Sequence, residues 1–187
     1  MGKIIDPKKI RIGDVILVAS GTAATIWVQQ KLGYGDRSKW THVAGCMGGY
    51  DLIEGQVPRS RVCDLQKNYV DKKIEIKVMR KTYDNNYPRI KIALWWASMN
   101  NTLYDFPQLL WYPIKAIGHI WPALGNCLLH VNNIFNNKKL LICSELLASG
   151  FYKENYYIFG KTAENVLPAD FDDSTIFNEV TDIWLEV

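Results

Sequence analysis

The sequence predicts an α+β domain built on a mostly antiparallel sheet. Three observations carry that expectation. Runs of strand length and strand period recur at VILVAS (15–20), THVAGCM (41–47), YDLIEGQV (50–57) and KKIEIKVMRK (72–81). Two of these runs are joined by Gly48-Gly49, a hairpin signature. Helical patterns then fall at 22–32, 88–99 and 143–150, between and after the strands.

In chain order, Ile12-Gly13-Asp14 forms a turn into VILVAS, whose unbroken apolar character predicts a buried strand. TAATIWVQQKL predicts a short helix capped by Thr22 and stopped before Gly33. The stretch 56–73 alternates polar and apolar residues, with Pro58 and many charges among them, and reads as a loop and a short strand or turn of helix. Ile74, Ile76 and Val78 alternate as in a half-buried strand. Pro88 to Met99 predicts a helix with Ile90, Ala93, Leu94 and Ala97 on one face. Residues 104–135 are an apolar, aromatic-rich insert broken by Pro107, Pro113 and Pro122, too interrupted for a membrane span. Short packed helices are one reading of it, and a peripheral membrane contact through 106–129 is the other. NYYIFGK follows as strand or loop, VLPADFDDS as a Pro-Asp turn, and TIFNEVTDIWLEV with strand-like alternation.

At 187 residues the chain fits a single domain, 1–187, that buries roughly 70% of its unfolded surface. A net charge of +3 without a basic stripe argues against nucleic-acid binding. Cys46, Cys63, Cys127 and Cys143 lie far apart with no CxxC pair, so neither a metal site nor a cofactor is expected. The opening MGKIIDPKKIRIGD contains no signal-peptide run, and the expected setting is a reducing cytoplasm with free thiols.

The chemistry concentrates at LLICSELLASG, 140–150, where an apolar run ends in Cys143 and a helix begins, with Ser144 as its expected N-cap and Gly150 as its stop. A cysteine in the first helical turn feels the unpaired amide groups, which favour the thiolate. Such a nucleophile needs a base and a group to orient the base. His42 stands in a strand beside a hairpin arm carrying Glu54, whereas His119 and His130 sit in the apolar insert. A three-residue loop of Met47, Gly48 and Gly49 would place His42 directly across from Glu54, with Cβ atoms about 5 Å apart. A two-residue Gly-Gly loop would put the two side chains on opposite faces. The first register yields a Cys143-His42-Glu54 triad, with the backbone N–H of Cys143 as an oxyanion donor.

The ordered motifs GDVILV, THVAG, LIEG, YDF and ICSELL resemble those of circularly permuted papain-like cysteine hydrolases of the NlpC superfamily, in its YiiX-like branch. His before Cys is the mark of the permutation. The resemblance covers about residues 12–171, including Gly13, Asp14 and the closing Pro168 to Phe171. It implies a permuted papain-like fold with Cys143 as nucleophile, His42 as base and Glu54 as orienting acid. It further implies substrate-side roles for Tyr104 and Ser144, and hydrolysis of an amide or ester-like acyl bond in a peptide or lipid-acyl substrate. A non-catalytic ligand-binding or membrane-surface protein on the same fold is the alternative.

Overall fold

Six antiparallel strands, hydrogen-bonded in the order β5-β4-β3-β2-β6-β7, form the central sheet. They are β2 (Val15–Ala19), β3 (His42–Gly48), β4 (Asp51–Glu54), β5 (Arg61–Asp64), β6 (Glu75–Lys81) and β7 (Phe177–Glu179). A two-stranded ribbon pairs β1 (Ile4–Ile5) with β8 (Trp184–Leu185). Among the described residues, three α-helices accompany them: α1 (Ala23–Lys31), α2 (Arg89–Ser98) and α3 (Cys143–Lys153). The structure, a computed structural model, describes residues 4–81, 88–104, 142–173 and 175–185. Apart from Tyr104, the expected insert at 104–135 lies outside the described residues. So do His119, Cys127, His130 and the membrane contact expected at 106–129. Among the described residues, no helix is long and apolar enough to cross a membrane.

Strand alternation divides the sheet into two faces. Val15, Leu17, Val43, Ile53 and Met79 pack with α2 and α3 through Ile92, Trp96, Leu146, Leu147 and Phe151. Ile16, Val18, Ala44, Cys46, Leu52 and Val78 face the opposite layer, where Ile5, Leu65, Tyr69, Val70 and Ile183 close the core. Tyr69 and Val70 belong to a π-type helical turn at Gln66–Val70, in the stretch expected as a loop and a short strand or turn of helix.

Trp96 fixes how the helices sit. Its indole N–H donates to Leu147 O at 3.1 Å. A Cβ on Gly45 of β3 would lie within 2.8 Å of the Trp96 and Leu147 side chains, and one on Gly150 would collide with the indole. Gly150 is therefore a packing residue inside α3, which runs on to Lys153, and the expected stop there is corrected. The buried face of α2 is also corrected: Ile92, Ala93 and Trp96 point inward, while Ile90 and Leu94 are exposed. The large indole chooses which side of α2 is buried, and the short apolar period around it leaves that choice open. Thr22 does cap α1, its hydroxyl accepting from Thr25 N–H at 3.4 Å.

The β3–β4 hairpin departs from the expected register. Ala44, not His42, pairs with Glu54, and a bulge between Cys46 and Gly48 leads into the turn, with Gly49 in the left-handed region at φ 58°. The slip from the expected register is two residues, an even number, so His42 and Glu54 keep a common face as diagonal neighbours.

Candidate active site

The site forms where β4 stops short of β3. Cys46 N–H donates to Asp14 O at 2.8 Å, so the amides of alternate residues 46, 44 and 42 point toward β2, and those of 45 and 43 toward β4. The β3–β4 ladder ends at Ala44–Glu54. One residue beyond, the start of α3 takes the place of the missing strand, and the Val43 amide is among the groups that lower the Cys143 thiol. The chain leaving β4 makes room for this approach with Gly55, whose Cβ would fall 2.9 Å from both the Cα and N of Cys143.

Cys143 is the first residue of α3 and only 5% exposed. Ile142, extended at φ −87° and ψ 166°, holds the N-cap position, so the expected capping role of Ser144 is corrected. Ser144, expected on the substrate side, is tied into the fold through its hydroxyl. Its side chain is fully buried and its hydroxyl donates to Val166 O at 2.6 Å, which ties α3 to the chain beyond it. Tyr104 donates its backbone N–H to Pro58 O at 2.9 Å and packs in the apolar cluster of Val28, Ile142 and Leu167, beside the helix start.

His42 lies between Cys143 and Glu54. Its Nε2–H donates to Glu54 Oε2 at 2.9 Å, which leaves Nδ1 available to Cys143, the second group that holds the proton on the ring. Glu54 is 1% exposed and its carboxylate is surrounded by donors. Arg61 Nε–H reaches Oε1 at 2.8 Å, and the Tyr69 hydroxyl donates to the same Oε2 that takes His42. Cys143 belongs to the helical layer on one face of the sheet, and Glu54 to the layer on the other. His42 spans the gap between them at the end of β3.

The electrostatics follow from this arrangement. Burial acts to raise the Cys143 thiol, but the His42 charge and hydrogen bond, with the Val43 and Ser144 N–H groups, outweigh it and hold the thiol below its ordinary value. Burial acts to lower His42, and Cys143 and Glu54 on its two sides outweigh that, so the imidazole is held protonated well above its usual range. Burial likewise acts to raise Glu54, yet His42, Tyr69 and Arg61 bring it down to about 2. The other described cysteines behave oppositely: burial pushes both Cys46 and Cys63 up to about 12. All three of these cysteines are free thiols.

A thiol held below its ordinary value, an imidazole that holds its proton and a fixed carboxylate are the groups needed to attack an electrophilic carbon and return a proton to a leaving group. Among the described residues, no group of three or more His, Cys, Asp or Glu is placed to hold a metal ion. Sequence reading missed Tyr69, Arg61, Gly55 and the Val43 amide. Gly55 carries a local signal, since a glycine directly after a functional acid permits close backbone approach. Arg61 and Tyr69 lie in the charged, alternating stretch 56–73, where no local pattern points to Glu54.

Gly13 and Asp14 stand at the other end of the sheet. Asp14, 1% exposed, accepts Arg80 Nε–H at 2.8 Å, Arg80 Nη2–H at 2.7 Å and Arg11 N–H at 2.8 Å. The Gly-Asp motif therefore braces the entry into β2.

Comparison with protein-family models, curated proteins and solved structures gives no match for this chain.

Proposed function

We propose that this protein is a cysteine hydrolase that works through an acyl-enzyme on a circularly permuted papain-like fold. The observation that carries this reading is His42 bridging a lowered Cys143 thiol at a helix start and a buried Glu54 carboxylate. The His-before-Cys order on an antiparallel sheet supports the permuted NlpC-type, YiiX-like assignment.

The Cys143 thiolate attacks the carbonyl carbon of an amide or ester-like acyl bond, forming the C–S bond and placing negative charge on the carbonyl oxygen. The Cys143 N–H, one of the first-turn amides that no intrahelical carbonyl takes, is the donor to that oxygen. His42 gives its Nδ1 proton to the leaving amine or alcohol as the tetrahedral species collapses. It then takes a proton from the water that attacks the thioester, and the acid product leaves with the Cys143–His42 pair restored. Glu54 keeps the ring in the orientation that serves both steps. The substrate is a peptide amide or a lipid-acyl compound.

The test is turnover of chromogenic peptide amides and acyl esters by wild type and Cys143→Ala, with mass detection of an acyl adduct on Cys143. Turnover with a Cys143 adduct supports the reading. Turnover unchanged in Cys143→Ala overturns it. The 5% exposure of Cys143 favours one second reading, a ligand-binding protein on this fold in which the sulfur is not attacked. That reading predicts ligand binding without any adduct.

A further inference from the structure

The carboxylate of Glu54 is clamped more firmly than an orienting acid requires for a single hydrogen bond to histidine. Oε2 accepts from both His42 Nε2–H and the Tyr69 hydroxyl, while Oε1 accepts from Arg61 Nε–H. Tyr69 also lies against the imidazole, with ring centroids 6.4 Å apart. The two clamps come from different elements, Arg61 from β5 and Tyr69 from the turn at Gln66–Val70. Each of these elements is itself held in place. Arg61 pairs across the ladder with Glu54 itself. The turn carrying Tyr69 is held to β1, where Ile5 N–H donates to Gln66 Oε1 at 3.1 Å.

Resting on the reading above, we propose that Tyr69 and Arg61 are positioning residues: they pin the Glu54 carboxylate so that His42 keeps Nδ1 aimed at Cys143. Because one oxygen serves both His42 and Tyr69, the hydroxyl fixes where Oε2 sits and hence how the imidazole ring is turned. Without it the carboxylate can swing toward Arg61, and the ring follows or loses its partner. The thiolate–imidazolium pair then weakens from both sides, the thiol ionising at higher pH and the imidazole losing its proton at lower pH.

This consequence separates positioning from two simpler roles. Arg61 is a cation beside Glu54, so removing it by charge alone would strengthen the hold of Glu54 on the His42 proton and widen the pH window of the pair. Loss of positioning narrows the window instead. A merely structural role would lower the unfolding temperature and leave both limbs where they are.

The test is the rate of Cys143 alkylation by an anionic haloacetate across pH, in wild type, Tyr69→Phe and Arg61→Gln, with Cys143→Ala as blank. The reagent reads the thiolate on the acid limb and the attracting imidazolium on the basic limb. In both variants each limb should move inward by about one pH unit, the size expected for losing one hydrogen bond to a charged group. Wild-type limbs retained in both variants, or a window widened in Arg61→Gln, overturn the positioning role alone. A wild type that alkylates as an ordinary thiol, without a basic limb, overturns the hydrolase reading beneath it. Arg61 is half-exposed, so Arg61→Gln keeps the test decisive if Tyr69→Phe does not fold.

Discussion

The two ends of β3 each bury a carboxylate to 1% exposure, and they use it differently. Beside Cys46, Asp14 meets the forked guanidinium of Arg80 and a backbone amide. Guanidinium does not give up its proton in proteins, so this end is an electrostatic brace that stays as it is. Beside His42, Glu54 also meets an arginine, but its second oxygen holds an imidazole whose far nitrogen faces a thiol. Both members of that pair can exchange a proton near neutral pH. Burial and ion pairing are therefore shared by the two ends and do not mark a site. What distinguishes the His42 end is a chain of groups able to trade a proton, ending on a thiol.

The comparison breaks most visibly at His42. His42→Ala should cut Cys143 alkylation at pH 6 by roughly 100-fold or more, because the thiol returns toward its ordinary range. The same substitution should leave Cys46 and Cys63 unchanged, and peptide mapping of the labelled protein checks both statements. At the other end, Arg80→Met leaves Asp14 buried without its partner and should cost about 3 kcal/mol of stability by chemical denaturation. It should not move the pH dependence of Cys143 alkylation. A shift there would mean that the two ends are coupled through β3.

Acid unfolding sharpens the contrast. Glu54 is held at about 2 in the folded protein against an ordinary value of 4.5, so its contribution is full above the unfolded value and is lost as pH falls toward 2. That contribution is on the order of 3 kcal/mol. Glu54→Gln should therefore flatten the loss of stability between those pH values, as followed by denaturant midpoints.

Gly55→Ala comes next, with a Cβ forced against the Cys143 backbone at a cost of about 1–3 kcal/mol and a displaced helix start. Slower alkylation in the folded fraction checks it. Ser144→Ala is the smallest effect, about 1 kcal/mol for one lost hydrogen bond to Val166 O, with alkylation close to wild type. A large loss of alkylation would return Ser144 to the reacting site.

Much of the fold was legible because local patterns and tertiary packing agree. VILVAS, THVAGCM and the Ile74, Ile76, Val78 alternation give β2, β3 and β6, and Thr22 gives the start of α1. Where one bulky residue decides, pattern fails: Trp96 chooses the buried face of α2 and keeps Gly150 inside α3. The pairing of His42 with Glu54 emerged from a register two residues off, since an even slip preserves the face. The clamps on Glu54 were not legible. Arg61 and Tyr69 reach it through the β4–β5 pairing and a π-type turn, neither of which a local pattern at 56–73 encodes.

The central claim is that Cys143 rests as a thiolate paired with protonated His42. It is tested most directly by thiolate ultraviolet absorbance against pH, taken as wild type minus Cys143→Ala. The account predicts one thiolate already present below pH 7, with a step well under the ordinary thiol value of about 8.5. A single step at or above that value would contradict it.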